Sequence, residues 1–201
     1  MMDMTLLQTV ITTIGTILVA LITVVVKSWL DNRRDKAHKE REETITEEDV
    51  EYMTIIQEWL EEFRNRYEFE RSAIFQFHNG GKFFHGKSMK KFSMTYEAVA
   101  PGYEKMKRNM QNILTSEYPH WVGDMLKKKC FAYLTTELEN KERKEFEHMG
   151  VQQLVIVPIY CLRGNLIGFI AGYNIADIDE NISEHCHYLV EDSKFISGYL
   201  L

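Results

Sequence analysis

Two β-rich runs, Gln153 to Leu162 and Leu166 to Tyr173, are separated only by Arg163-Gly164-Asn165. A connector that short joins neighbouring antiparallel strands, and Gly164 and Asn165 are available for the positive φ that a tight turn needs. Both runs are rich in β-branched and aromatic residues, which predicts the central antiparallel strands of a sheet.

A second hairpin is predicted over Arg71 to Glu97. In its first arm Ala73, Phe75 and Phe77 point one way, and Ile74, Gln76 and His78 the other. In its second arm Phe92, Met94 and Tyr96 form an apolar row, while Lys91, Ser93, Thr95 and Glu97 form a polar one. Between the arms, Asn79-Gly80-Gly81 and Gly86 supply turn-forming residues. The same loop carries Phe83, Phe84 and His85, which a plain connector does not need.

Helical signals surround these hairpins. Thr46-Glu47-Glu48-Asp49 reads as a helix start, with Thr46 as cap and acids against the positive end of the helix dipole. The apolar stripe Tyr52, Ile55, Ile56, Trp59, Leu60, Phe63 and Tyr67 then recurs at spacings of three and four. It can pack on the sheet, on a second copy of itself, or both. The patchier pattern from Tyr103 to Leu114 predicts a connecting helix. Pro119 lies in the first turn of another, whose buried side is Trp121, Val122, Met125 and Leu126. Phe131 to Leu134 reads as a short strand, Glu137 to Met149 as a helix stopped by Gly150, and Ser183 to Leu201 as a closing helix. Its apolar side carries Cys186, Leu189, Val190, Ile196 and Leu200. The predicted fold class is α+β, with a central antiparallel sheet flanked by helices.

The N-terminal end is of another kind. Leu6 to Val26 carries no charge, and a helix of that length rises about 30 Å, enough to span a bilayer. No Lys or Arg precedes the run, whereas Lys27, Arg33, Arg34, Lys36, Lys39 and Arg41 follow it. The positive-inside rule then places the N-terminus outside and the body of the protein in the cytoplasm. The alternatives are a buried soluble helix or a helix that assembles into a small pore. The predicted organisation is an anchor over 1–26, a charged juxtamembrane linker over 27–45 and a cytoplasmic domain over 46–201. Trp29 and the basic cluster suit contact with lipid headgroups.

The 201-residue chain has a net charge of -6, so no basic field supports nucleic-acid binding. Its three cysteines, Cys130, Cys161 and Cys186, are widely spaced and form no CxxC pair. That pattern argues against a disulfide framework and a zinc ribbon, and reads as reduced, buried thiols. The seven histidines include His185 and His187, but two residues apart on a helix they point to different sides, which does not make a metal site. No nucleophile, base and orienting group recur in a known catalytic arrangement, so the chain reads as a non-enzyme.

The long entry helix, the aromatic first strand, the helical insertion before the third strand and the final hairpin together resemble the GAF domain family. Val155-Ile156-Val157-Pro158-Ile159, a turn, and Leu166-Ile167-Gly168 carry most of that resemblance, which covers roughly 47–201. The stretch FHNGG…KSMKKFSMTYE is similar to a segment of small membrane-anchored GAF-like proteins of phage genomes. The resemblance implies a domain that binds a small molecule and signals its occupancy through dimer helices. The Asn-Lys-Phe-Asp-Glu pattern of cyclic-nucleotide-binding members does not occur here, nor does the cysteine spacing of the methionine sulfoxide reductase members. Cys186-His187 is similar to the cysteine-histidine pair of bilin-binding members, but it falls in the closing helix rather than beside the pocket. The cofactor is therefore unknown.

For a ligand site, His78, Asn79, Ser88, Ser93 and Glu97 supply polar groups, with Phe83, Phe84, Tyr96 and Trp121 as apolar walls. The plainer reading makes these residues turn, strand-face and core positions. Two functions follow: a membrane-tethered sensory or regulatory module that binds a small molecule or a protein partner, or a membrane-anchored scaffold without a pocket. The partners expected are the lipid bilayer, an unidentified small molecule or protein, and a second copy through helix 46–69, with no nucleic acid.

Overall fold

The computed structural model describes residues 14–15, 19–33, 45–82 and 88–200. The chain forms two compact units, Met1–Val50 and Glu51–Leu201. In the first, helix α1 (19–33) exposes Val19, Leu21, Ile22, Val24, Val25 and Val26, and the Arg33 guanidinium lies 4.3 Å over the Trp29 ring. Among the described residues no helix is long and apolar enough to cross a membrane. Only 14–15 and 19–26 of the Leu6–Val26 run are described; its remainder and linker residues 34–44 lie outside the described residues.

Helix α2 (Glu47–Arg66) starts as its sequence predicts. The Asp49 N–H donates to Thr46 Oγ1 at 3.1 Å, and Asp49 Oδ2 accepts the Thr46 N–H at 2.7 Å, so two free helix-end donors are satisfied reciprocally. Ile56, Trp59, Leu60 and Phe63 of its stripe are buried.

The sheet has six strands: β1 (Arg71–Lys82), β2 (Ser88–Val99), β3 (Ile113–Leu114), β4 (Phe131–Leu134), β5 (Gln153–Tyr160) and β6 (Leu166–Asn174). Their order is β3-β2-β1-β6-β5-β4, with every neighbouring pair antiparallel. The two predicted hairpins meet at β1 and β6, in the middle of the sheet. Gly168 allows that close approach, since a Cβ there would strike the carbonyl oxygen of Phe75, and Gly172 leaves room for the Phe69 ring.

Each face of the sheet buries its own layer. One holds Phe75, Phe92, Met94 and Phe169 beneath α3 (Pro119–Met125) and α4 (Asn140–His148), which add Trp121, Met125 and Phe146. The other holds Ile74, Val155, Val157 and Ile170 under α2 and α5 (Ile182–Ser197), with Leu60, Phe63, Leu189 and Ile196. At about 25 cal/mol per Å² of apolar area, such double coverage is the main driving force for folding.

Five expectations need correction. Residues 103–112 are not a connecting helix. The buried Glu97 carboxylate accepts the N–H of Met106 at 2.7 Å and of Lys107 at 3.0 Å, and Met110 O accepts the Met94 N–H at 2.8 Å. These bonds tie the segment to β2 in place of a helical ladder, and the segment ends in the unpredicted β3. Asn79-Gly80-Gly81 continues β1 rather than turning, and the connection itself, 83–87, lies outside the described residues. The apolar row of β2 is split by a register shift opposite Ile74 and Phe75, so Phe92 and Met94 enter one layer and Tyr96 the other. Finally, Cys130 and Cys186 form a disulfide with Cα atoms 5.6 Å apart, leaving Cys161 free. Their wide separation in sequence concealed a pair that the packing of α5 near β4 brings together. Leu126, placed on the buried side of α3, is exposed.

Candidate functional site

Among the described residues, those predicted from the first hairpin do not line one common pocket. His78 Nε2 meets Ser93 Oγ at 2.9 Å, and that same oxygen accepts the Asn112 N–H at 2.8 Å, so both side chains fasten the β3 edge. Asn79 Oδ1 accepts from Lys90 Nζ at 3.1 Å, and Ser88 pairs with Lys82 across the hairpin. Phe83 and Phe84 lie outside the described residues. Glu97 is 4% exposed and accepts the Arg71 Nε–H at 3.1 Å in addition to its two backbone donors. Tyr96 packs in the α2/α5 layer and Trp121 in the opposite one, so the sheet separates these two predicted walls.

Trp121 does border a cleft. Helix α3, strand β4 and the segment leading into α4 enclose about 440 Å³, lined by His120, Trp121, Asp124, Lys127, Tyr133, Glu137, Glu139 and Glu142 among others. Pro119 sets the first turn of α3, and α3 presents Trp121 to the core with its ring centroid 4.5 Å from that of Tyr118. Spacing within α3 places His120 and Asp124 one turn apart. Residues Glu137 to Glu142 close the other wall.

Four carboxylates face one lysine and one histidine in this cleft. Three are engaged. Asp124 accepts from Tyr133 at 2.7 Å and Lys128 at 2.9 Å, Glu137 accepts the Leu134 N–H at 3.2 Å, and Glu139 meets His120 at 2.9 Å. The Tyr133 hydrogen bond, followed by that of Lys128, holds the Asp124 carboxyl below its usual range, while burial and Asp124 raise the Tyr133 phenol. The fourth, Glu142, is 7% exposed; burial first, and then the charge of Glu139, push its carboxyl above the usual 4.5. The buried indole N–H of Trp121 approaches it without closing a regular hydrogen bond. The cleft therefore offers an unfilled donor beside an incompletely satisfied carboxyl, an arrangement suited to binding a polar group.

A larger cleft of about 730 Å³ lies among Arg66, Tyr67, Glu70, Asn174, Asp179 and His185. Its inner carboxylates are already bound: Glu70 accepts the Ile175 N–H at 2.6 Å, and Asp179 meets His185 at 2.8 Å and the Asn181 N–H at 2.8 Å. Among the described residues no group of three or more His, Cys, Asp or Glu side chains is placed to hold a metal ion.

Of the cleft residues, the sequence marked only Trp121 as a site wall. His120, Asp124, Tyr133, Glu139 and Glu142 come from three elements whose convergence depends on tertiary packing, and the i, i+4 pair His120 and Asp124 was the one local signal.

No family model matches the chain, and comparison with curated proteins finds no match. Solved structures do match. The phycoerythrobilin-bound GAF domain of a cyanobacterial phytochrome superposes with a TM-score of 0.56 at 15% identity, over 84% of this chain and 91% of that one. A GAF domain from Synechocystis in its photoproduct state gives 0.58 at 13% identity, over 74% and 92%. The blue-light absorbing form of the Thermosynechococcus elongatus PixJ GAF domain gives 0.56 at 14%, over 77% and 90%. The α+β domain thus has the GAF fold. Cys186, which the sequence sets apart from the bilin-binding cysteine by its place in the closing helix, lies on α5 in a disulfide, across the sheet from α3 and α4.

Proposed function

We propose that this chain is a membrane-tethered, non-enzymatic sensory or regulatory module whose GAF-fold domain recognises a small molecule in the cleft of α3, β4 and α4. The observation that carries the reading is the Trp121 N–H, buried without a regular partner beside the nearly buried Glu142 carboxyl in an open cleft. Unsatisfied buried polar atoms cost about 1–3 kcal/mol each, a cost that a ligand supplying the missing partner removes. The fold supports the reading as well, because the similar solved structures include a phycoerythrobilin-bound GAF domain from a cyanobacterial phytochrome. The tether rests on the uncharged run Leu6–Val26 and the basic residues that follow it.

Occupancy would reach a separate partner or a second copy of the chain. An aromatic ridge on α2, α5 and the turn that follows α5 supports the second copy: Tyr52 meets Tyr199 at 5.6 Å, Phe195 lies 5.3 Å from Tyr199, and Phe195 and Tyr188 are exposed. The scaffold reading draws on the same ridge.

The test is a thermal-shift screen of the full chain in detergent against nucleotides and metabolites, since a ligand that binds only the native state raises the melting temperature. A hit should lose its effect in Trp121→Phe, which removes the N–H and keeps the ring. A screen with no hit, or hits indifferent to Trp121, leaves the scaffold as the function.

A further inference from the structure

We infer that the ligand of this cleft is a small organic cation carrying an acceptor oxygen near its charge, such as an amino alcohol. The inference rests on the cleft reading above and specifies the chemistry that the lining selects.

Charge comes first. Asp124, Glu137, Glu139 and Glu142 outnumber Lys127 and His120 along the walls. Glu139 and Glu145 add to the negative potential that Glu142 feels, and His120 and the approach of the Trp121 N–H offset it in part. An anion entering this field is repelled, and a neutral molecule leaves the field uncompensated. A cation beside Glu142 supplies the counter-charge that the protein withholds, and because Glu142 is mostly buried the attraction is screened less than at the open surface.

Engagement comes second. The other three carboxylates already take hydrogen bonds from Tyr133, Lys128, the Leu134 N–H and His120. Glu142 is left to receive an ammonium. The Trp121 and Tyr133 rings border the same space, and aromatic faces attract cations further. The Trp121 indole N–H is a donor only, which a bare ammonium cannot satisfy, so an oxygen on the ligand completes the site.

The experiment uses isothermal titration calorimetry on the full chain in detergent with four probes of similar size: 3-aminopropanol, propylamine, propanol and propionate. Expected is binding in the order 3-aminopropanol, then propylamine, with propanol and propionate not binding. Glu142→Gln keeps the shape and removes the charge, and should weaken 3-aminopropanol about tenfold or more, the worth of one charge-assisted hydrogen bond. Trp121→Phe should bring 3-aminopropanol down to the affinity of propylamine. Should Glu142→Gln fail to fold, Glu139→Gln at the exposed rim reads the same field and should weaken both amines about two- to fivefold. Amine affinity unmoved by either glutamate change overturns the inference. If propionate, propanol or a neutral or anionic metabolite binds instead, and depends on Trp121, the cation is wrong and the cleft reading stands. If no probe and no metabolite binds, both fall.

Discussion

Glu97 illustrates how a residue that alternates like a solvated strand position becomes a buried strut. Its carboxylate joins Arg71 to the backbone of Met106 and Lys107, and Arg71 in turn donates to Glu104 O at 2.7 Å. Glu97→Ala leaves a buried guanidinium without its counter-ion and is expected to cost about 3–5 kcal/mol in a denaturation curve. His78→Ala removes one part-buried hydrogen bond to Ser93, and about 1 kcal/mol is expected from the same measurement. Glu142 has a pH signature. Its carboxyl titrates higher in the folded state than the usual 4.5 of the unfolded chain, so the folded state binds this proton more tightly. The contribution is therefore fully favourable below the unfolded value and declines as pH rises through the folded one. Glu142→Gln should flatten that decline and melt higher than the native chain near neutral pH, as a pH series of melting curves would show.

At the scale of elements, what was legible in the sequence was local. Gly164, at φ +77°, lies in the predicted β5–β6 turn, and Thr46 with Asp49 caps α2 as the spacing implied. Pro119 opens α3, and Gly150, at φ +70°, follows α4. What was not legible depended on partners distant in sequence. The helical spacing of Met106 and Met110 was overridden by Glu97 and β2, β3 needed that anchoring to form, and the register shift in β2 reversed the facing of Tyr96. The cleft escaped for the same reason, since its walls meet only after α3 and α4 cover the sheet. The glycines of β6 make a testable element-scale claim. Gly168→Ala pushes a methyl group against a main-chain oxygen of β1, which cannot move without disturbing the β1–β6 ladder. It should destabilise by about 1–3 kcal/mol or more by chemical denaturation, the usual cost of overpacking.

For the molecule as a whole, the disulfide and the charge asymmetry around the N-terminal run pull in different directions. Lys27 and the basic residues beyond it predict a domain in the cytoplasm, where thiols are kept reduced, yet Cys130 and Cys186 are joined. The two are compatible if the domain does not depend on the bond. Leu189 and Ile196 already bury α5 against the sheet face that holds Val155, Val157 and Ile170, so its docking has an apolar basis of its own. A bridge across a separation of 56 residues is worth about 4 kcal/mol in the chain-entropy account. Purified without reductant and then denatured, the chain should therefore show one reactive thiol, Cys161, and three once reduced. Cys130→Ser should lower stability toward that 4 kcal/mol when compared with the oxidised chain, and by little when compared with the chain in reductant. A reporter fused after Leu201 should be active only inside the cell, with Cys130 and Cys186 open to alkylation there. A reporter active only outside would reverse the orientation and make the Cys130–Cys186 bond a permanent staple, its loss then costing stability where the protein works.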